Sequence, residues 1–464
     1  MTEHTGLLLA LGLLAVIVGI VWLTARWRVN AFLVLILASF VFGAYAFVLM
    51  GRPPLLDAKS EAGAPVEGLV TVIAKGFGGT LTSIGLVILF GTILGQFLQK
   101  SGAAFVMAET ILSLVGRKRA PLAMGLAGYV VSIPVFCDSG FIVLSALNRA
   151  LAADAGIPMV VMATALSMGL YSTHTLVPPT PGPLAAAGNL GADVGLVMLL
   201  GLIVALPAAL VGVLFARRQA GRHAPAAGRA GAFEEEARDR RGLPSRWKSF
   251  LPIIMPVFLI GAASIANLAA APLGSGAARA VLTFLGHPVV ALALGMALAA
   301  LAVPQWSREI LDTWVGAAIK DSALVLVITA AGGSLGAVIK TTGLGDFIGE
   351  ALSSWNLGLL LPFAVSAAIK TAQGSSTVAM VTTSAILAPL LPAMGWTEGP
   401  DRALAVLAIG AGSMLVSHAN DSYFWVVSQF SGLDVSTAYR TQTLGSLVTG
   451  VAAFLSVLVL SVVL

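Results

Sequence analysis

Four clusters of ionisable and hydroxyl-bearing residues interrupt the apolar stretches of this chain. One surrounds Asp138, a second begins at His174, a third begins at Lys370, and the fourth surrounds Asp421. An ionisable side chain inside a membrane span costs about 3 kcal/mol, so such residues are usually kept for function. The residues expected to contact a small polar ligand are Asp138, Ser139, Gly140, His174, Thr175, Pro179, Lys370, Gln373, Gly374, Ser375, Ser376, Thr377, Ser417, His418, Asn420, Asp421 and Ser422.

Five of these side chains are ionisable, and four of them, the two histidines and the two aspartates, are suited to exchanging a proton. Histidine does so near neutral pH, and a carboxyl group can do so where water is excluded. These properties favour His174, His418, Asp138 and Asp421 as proton-exchanging groups. The sequence predicts no metal site and no cofactor. The Gly-x-x-x-x-Gly-Lys-Ser/Thr loop of nucleotide-driven pumps does not occur in it.

Each cluster also has an ordinary structural explanation. Asp138 fits a solvated loop, and the prolines after His174 fit an external loop. Lys370 has a stem long enough to carry its ammonium group to the membrane surface. His418 and Asp421 fit a hydrogen-bonded pair with a purely structural role.

The segments that carry these clusters are typical of a membrane protein. Hydrophobic residues make up 58% of the chain and charged residues 10%, whereas soluble domains carry about 25% charged residues. A bilayer core of roughly 30 Å requires about 20 apolar residues of helix. Stretches such as 31–50 and 194–216 meet that length. The fold class is therefore an all-α polytopic membrane protein, with the lipid bilayer as a partner.

The net charge of +5 gives no sign of nucleic-acid binding, because a single segment accounts for the whole excess of basic over acidic residues. Residues 217–248 contain nine Lys or Arg and four Asp or Glu. Loops rich in Lys and Arg stay in the cytoplasm. With Arg26, Arg28 and the basic run 117–119 also inside, both chain termini are expected outside. The two halves of the chain then cross the membrane in opposite senses.

Two apolar segments are interrupted where a helix is unable to continue. Residues 120–151 contain Pro134 and the polar run 137–140, and residues 357–391 contain the polar run 373–377. These breaks predict two re-entrant hairpins whose tips meet a ligand near the middle of the membrane. The prolines of 178–183 predict extended backbone after His174. Cys137, at the first tip, is expected to lie near the ligand and to react with small thiol reagents.

The two halves of the chain repeat one order of segments at an offset of 241 residues, so that Gly91 and Gly95 fall on Gly332 and Gly336. We expect a first membrane repeat at 1–216, a charged cytoplasmic linker at 217–248 and a second, inverted repeat at 249–464. Each repeat has about five spans and one hairpin. The predicted spans are 6–24, 30–50, 81–99, 157–173, 192–216, 250–271, 288–303, 323–339, 404–417 and 443–464. Inverted repeats are common in secondary transporters.

Three motifs resemble those of the gluconate permease (GntP) family, and the resemblance extends over residues 70–450. Residues 174–183, followed by 191–193, resemble its His…Pro-Pro-x-Pro-Gly-Pro…Gly-Ala-Asp signature. Residues 372–379 resemble its Ala-Gln-Gly-Ser-x-Thr-Val-Ala motif. Residues 417–425 resemble its Ser-His-x-Asn-Asp-x-x-Phe-Trp motif.

This resemblance implies a proton symporter that imports gluconate or a related small hydroxy-carboxylate across the bacterial inner membrane. Some relatives carry D-serine instead. It also implies an elevator-type ion-transporter architecture and a homodimer. Two positions depart from the family pattern. Asp138-Ser139 stands where the family has Glu-Val, and Lys370 stands where it has an arginine. A lysine lacks the planar group with which arginine forms bidentate hydrogen bonds to a carboxylate, so the substitution weakens such binding.

Three other functions compete with this interpretation. One is a permease for D-serine or another small organic acid, and a second is an exporter, since the sequence does not fix the direction of transport. The third is an intramembrane hydrolase, because Ser, His and Asp all occur at membrane depth. Catalysis leaves the repeated halves unexplained, so the sequence favours a transporter.

Overall fold

The computed structural model describes residues 3–50, 57–59, 65–219, 242–267, 276–303, 307–344, 347, 357–396 and 399–464. These residues are mainly helical, apart from one antiparallel pair of two-residue strands, β1 (Ala58–Lys59) and β2 (Pro65–Val66). Eight of the described helices are long and apolar enough to cross a membrane, and a bent pair of helices makes a ninth span.

The first half of the chain contains nine described helices, which include the predicted hairpin and a broken span. They are α1 (Glu3–Arg26), α2 (Ala31–Leu49), α3 (Leu69–Lys100), α4 (Ala103–Val115), α5 (Ala120–Val131), α6 (Cys137–Ala155), α7 (Met159–Leu176), α8 (Pro181–Leu190) and α9 (Val194–Arg217). A 3₁₀ turn (Arg117–Arg119) joins α4 to α5.

The second half repeats this order among its described residues. Its helices are α10 (Arg246–Ala266), α11 (Ala277–Leu285), α12 (Pro288–Ala300), α13 (Gly316–Thr341), α14 (Leu360–Gln373), α15 (Ser376–Leu387), α16 (Pro400–Gly412), α17 (Ser422–Ser431) and α18 (Leu444–Val463). Short helices (Arg308–Ile310 and Val435–Ala438) and π-helical turns (Leu311–Val315 and Tyr439–Thr443) precede α13 and α18, and a 3₁₀ turn (Ala388–Leu390) follows α15.

The helix order confirms the repeated architecture that the sequence predicts. The span Leu69–Lys100 corresponds to Leu311–Thr341, 242 residues later. The hairpin α5–α6 corresponds to α14–α15, and the broken span α7–α8 corresponds to α16–α17, at offsets of 239 to 241 residues. The exact division into 1–216, 217–248 and 249–464 stays a prediction. Most of the linker, residues 220–241, lies outside the described residues.

The hairpin breaks occur where the sequence places them, whereas other boundaries differ. The break after α7 is shorter than predicted, because the helix continues past His174 to Leu176 and Pro181 then opens α8. Proline fits the first turn of a helix, where its missing NH is not needed. The helices α4 and α11 were not among the predicted spans; both are too short to cross a bilayer alone.

The helix α3 begins twelve residues before the predicted span at 81–99, and Gly76 in this added part packs closely against α13. A Cβ atom built on Gly76 would lie 2.7 Å from the Cβ atom of Ala337 and 2.7 Å from the carbonyl oxygen of Gly333. The glycines thus let α3 and α13 approach closely, which offsets the helix propensity that they lose.

Two buried apolar cores flank the middle of the molecule. One packs the hairpin and broken-span helices together through residues such as Phe141, Leu170 and Tyr423. The other packs α1, α2 and α3 against α13 through residues such as Phe42 and Leu335. Exposed apolar side chains cover much of α1 and α18, as lipid contact requires. The candidate site lies where α13 meets the helices of the first core.

Candidate functional site

A central cavity of about 280 Å³ lies between the two hairpins, the two broken spans and α13. Its polar and aromatic lining comes from the two hairpin tips, from the end of α7 and from the start of α17. The lining residues are Phe136, Cys137, Asp138, Tyr171, His174, Leu324, Val325, Ile328, Ser375, Ser376, Thr377, Val378, Asp421, Ser422 and Tyr423.

The structure brings seven of the predicted site residues to this cavity from four separate segments. These are Asp138, His174, Ser375, Ser376, Thr377, Asp421 and Ser422. The remaining ten lie beside the lining instead. They are Ser139, Gly140, Thr175, Pro179, Lys370, Gln373, Gly374, Ser417, His418 and Asn420.

Three helices begin at the cavity wall, at Cys137, Ser376 and Ser422. The first turn of a helix has unpaired backbone NH groups and the positive end of the helix dipole. The hydroxyl groups of Ser376 and Thr377 lie in the first turn of α15. The cavity therefore combines hydrogen-bond donors, hydroxyl groups and partial positive charge, a combination that suits a hydroxylated anion.

Lys370 is a fully buried member of an ion pair that joins the second hairpin to the broken span α16–α17. Its Nζ atom lies 2.6 Å from Oδ2 of Asp421 and also donates to the carbonyl oxygen of Gly374. The side chains are 0% and 6% exposed. Lys370 therefore does not reach the membrane surface, and its charge is already matched by a carboxylate.

Asp421 is the centre of a network that fixes the break between α16 and α17. Oδ2 accepts a hydrogen bond from the hydroxyl of Ser417 at 2.5 Å, and Oδ1 accepts one from the backbone NH of Tyr423 at 3.1 Å. The second bond makes Asp421 the N-cap of α17. The cap, the ion pair and the hydroxyl together satisfy the carboxylate, as a buried charge requires.

His418 and Asn420 hold the second hairpin by its backbone. Nε2 of His418 lies 2.9 Å from the carbonyl oxygen of Thr371, and Nδ2 of Asn420 donates to the same oxygen at 2.9 Å. The side chains of His418 and Asp421 do not pair with each other; instead the backbone NH of Asp421 donates to the His418 carbonyl oxygen at 2.8 Å. Gly374, with a φ of +92°, closes the hairpin turn against the Asn420 carbonyl, and a Cβ atom there would clash with it.

Asp138 and His174 reach the cavity with unused hydrogen-bonding atoms. Oδ1 of Asp138 and Nδ1 of His174 are buried, and neither has a hydrogen-bond partner among the described residues. The ring of Phe136 lies 5.9 Å from that of His174. A buried carboxylate oxygen without a partner is unfavourable when it is charged. A ligand or a proton would satisfy these atoms.

The sequence interpretation missed two buried tyrosines that join the four segments. The Tyr171 hydroxyl lies 2.6 Å from that of Ser376, and Tyr423 donates to the Ser167 carbonyl at 3.2 Å. Their rings lie 5.3 Å apart. Tyr171 stands three residues before His174, one turn back along α7, so helical spacing could have indicated it.

Tyr171→Phe is expected to weaken substrate binding without loss of folding, because it removes one hydroxyl that orients Ser376 at the cavity wall. The loss of one hydrogen bond is worth about 1 kcal/mol, which corresponds to roughly a fivefold higher KM. Uptake kinetics in proteoliposomes measure this change. Tyr45→Phe, whose hydroxyl donates to the Leu8 carbonyl far from the cavity, is the matched control. If Tyr171→Phe and Tyr45→Phe had the same KM, the assigned role of the contact between Tyr171 and Ser376 would be wrong.

The structure contradicts the expected accessibility of Cys137. Its side chain is 3% exposed and packs in the apolar core, although it borders the cavity. A thiol so placed behaves as a small apolar group. Water-borne thiol reagents should therefore fail to label it in this state.

The pattern Gly-x-Ser-x-Gly of serine hydrolases occurs at 332–336, but its setting is wrong for a nucleophile. Ser334 lies within α13, and its hydroxyl donates to the Ile73 carbonyl at 2.9 Å. A hydrolase requires this serine on a sharp turn between a strand and a helix. Among the described residues, no group of His, Cys, Asp and Glu is arranged to hold a metal ion.

Comparison with known proteins gives consistent results. The family model described as GntP family permease matches residues 7–463. The chain is 35% identical to a gluconate permease of Pseudomonas aeruginosa, over 98% of each chain. It is 31% identical to a D-serine transporter of Escherichia coli, over 99% of this chain and all of that one. These similarities extend over the complete cavity and both repeats.

A solved transporter shares the fold at low sequence identity. The efflux pump MtrF of Neisseria gonorrhoeae matches 95% of this chain and 96% of its own, with a TM-score of 0.66 and 14% identity. This likeness concerns the fold alone. It supports the elevator-type architecture that the repeated hairpins and broken spans indicate.

Proposed function

The chain belongs to the GntP permease family, and from that premise we propose that it carries gluconate or a similar small hydroxy-carboxylate into the cell with a proton. It is a multi-pass membrane transporter and not an enzyme. The observation that carries the substrate class is the meeting of three helix N-termini and several hydroxyl groups at one cavity.

The carboxylate binds at the helix N-termini of the hairpin tips, and not to Lys370 as the sequence suggested. Lys370 is buried against Asp421 and lies beside the lining. The hydroxyls of Ser375, Ser376 and Thr377 are placed to meet the substrate's hydroxyl groups. Leu324, Val325 and Ile328 of α13 add an apolar side to the cavity lining.

Proton coupling is assigned to Asp138, with His174 as its neighbour in the cavity. Asp138 is the carboxylate of the lining that has an unpartnered buried oxygen, whereas Asp421 is neutralised by Lys370. Binding of a proton removes the cost of the unpaired charge when a second anion enters the cavity. His418 is bound to the hairpin backbone outside the lining and takes no part in this step.

The ammonium group of Lys370 occupies a position that favours protons over sodium as the coupling ion. It is bound by the Gly374 carbonyl and the Asp421 carboxylate, which are oxygen ligands of the kind that a metal cation uses. Because the Lys370 ammonium group already occupies these oxygen ligands, a sodium ion is not required at this position.

The homodimer and the division into two repeats at 217–248 are also part of this proposal. Family membership supports the homodimer, and the matched helix order supports the two repeats.

Purified wild-type protein in proteoliposomes is expected to accumulate radiolabelled gluconate when the interior is more alkaline than the exterior. A sodium gradient without a pH gradient should produce no accumulation. Competition by glycerate, D-serine and other acids measures the substrate preference. Accumulation of D-serine but not gluconate would favour the D-serine alternative, and uphill movement outward only would favour an exporter.

A further inference from the structure

A second cavity, of about 640 Å³, lies along α13 and α15, which also line the central cavity, but nearer the C-terminal ends of these helices. On α13, Ile328 lines the central cavity, and Gly332, one turn further on, lines this second cavity. On α15, Val378 lines the first and Ala385 the second. We call it the outer vestibule.

The outer vestibule lies at the end of α9 opposite to Arg217, the residue at which the charged segment of the sequence begins. It contains the C-terminal end of α8 and Gly191, and α9 runs from there to Arg217 over 24 residues, or about 36 Å. The Lys- and Arg-rich linker that follows is expected in the cytoplasm. The vestibule therefore opens to the outside, where an importer meets its substrate.

Positive side chains dominate the vestibule lining. Lys75, Lys340 and Arg402 line it, and among its described lining residues there is no Asp or Glu. Lys75 is paired with Glu67 at the rim, so its charge is offset. Within the part of the chain that the structure describes, the hydrogen bonds of Arg402 go to the carbonyl oxygens of Trp396 and Gly191. Lys340 and Arg402 thus contribute charge that no described carboxylate neutralises.

Direct contact between α13 and α15 separates the vestibule from the central cavity. A Cβ atom on Gly332 would lie 2.9 Å from Cγ1 of Val381, so α13 and α15 touch between the two cavities. Polar groups continue along this boundary, since Asn189 donates to the Ser384 hydroxyl at 2.9 Å. A ligand held in the vestibule lies about one helical turn along α13, and about two along α15, from the site that carries it inward.

We propose that the outer vestibule is an electrostatic capture site for the anionic substrate, in which Lys340 and Arg402 attract the carboxylate before the central cavity opens to it. This inference rests on the proposed function. Charged clefts raise the local concentration of an oppositely charged ligand and its rate of association, and salt weakens the effect. The vestibule sets the rate of capture and leaves the turnover of bound substrate unchanged.

The test compares wild type with Lys340→Gln/Arg402→Gln in proteoliposomes of zwitterionic lipid. At low ionic strength the variant should show a roughly tenfold lower kcat/KM for gluconate with the same kcat, and its kcat/KM should be insensitive to salt. Lys100→Gln/Lys118→Gln, exposed cations outside the vestibule, should match wild type. Lys340→Arg/Arg402→Lys should retain the wild-type salt dependence.

Other outcomes overturn the inference in distinguishable ways. If the wild type takes up gluconate and the double variant behaves in the same way, the capture site is rejected and the proposed function stands. If the wild type takes up no carboxylate, the proposed function itself is rejected. A defect that occurs only when anionic lipid is present identifies a lipid headgroup site instead.

A chemical readout tests the vestibule independently of transport. In a Cys137→Ser background, Thr80→Cys should react faster with an anionic than with a cationic methanethiosulfonate reagent, because Thr80 lines the vestibule. This preference should fall severalfold in the Lys340→Gln/Arg402→Gln variant. If the preference for the anionic reagent were unchanged in that variant, Lys340 and Arg402 would not attract anions to this position.

Discussion

Lys370→Gln is expected to abolish uptake and to lower the free energy of unfolding by about 3–5 kcal/mol. The substitution leaves Asp421 buried without its cation, and removal of one partner from a buried ion pair is strongly destabilising. It also releases the Gly374 carbonyl at the tip of the second hairpin. Thermal unfolding of the purified protein and uptake into proteoliposomes measure the two effects.

The control for this prediction is Lys320→Gln, which removes an exposed lysine from α13. It should leave stability and uptake near wild type. Lys370→Met/Asp421→Asn removes both charges and should regain most of the lost stability, because no unpaired charge remains. A stable Lys370→Gln protein that only shows a higher KM would instead mean that Lys370 binds the substrate directly.

Asp138→Asn is expected to reduce proton-driven accumulation by more than a hundredfold while exchange of substrate across the membrane continues. Asparagine keeps the size of the side chain but does not carry the proton that Asp138 is proposed to exchange. Counterflow, in which labelled substrate enters in exchange for unlabelled substrate, measures the cycle without net proton movement. Accumulation in a pH gradient measures the coupled reaction.

Asp154→Asn is the matched control, since Asp154 lies at the other end of α6 and faces Arg117 at 3.9 Å. It should accumulate substrate as wild type does. His174→Gln tests the neighbouring group in the same pair of assays. If Asp138→Asn accumulates substrate normally, the proton is carried elsewhere, and His174 becomes the first candidate.

Most of the fold follows from the sequence because the membrane restricts the choice of structures. Long apolar runs must be helices in lipid, and polar breaks must be enclosed by protein. The two hairpins and the repeated order of spans are therefore readable from Pro134, from the polar run 373–377 and from hydropathy. The first twelve residues of α3 are not predictable from hydropathy, because Gly76 gives no apolar signal and its place is explained only by the close approach of the partner helix α13.

The candidate site is harder to predict, because motifs show which residues matter and not which atoms pair. Asp138 and Asp421 are both acids at a helix break, yet one has a lysine partner and the other an unpartnered oxygen. That difference depends on a contact between residues 51 positions apart in the chain. The sequence also gives no sign that the apolar side chains Leu324, Val325 and Ile328 of α13 would complete the cavity wall.

The pairing of Lys370 with Asp421 bears on the energetics of accumulation. A tethered ammonium group stays behind when the cargo leaves, so it adds nothing to the charge that moves. A monocarboxylate that travels with one proton then crosses as an electrically neutral pair. The membrane potential, worth about 2.3 kcal/mol per charge at 100 mV, neither drives nor opposes this movement. The concentration ratio at equilibrium is then limited to about tenfold for each unit of pH difference, so cells in alkaline surroundings would lose the ability to concentrate the acid.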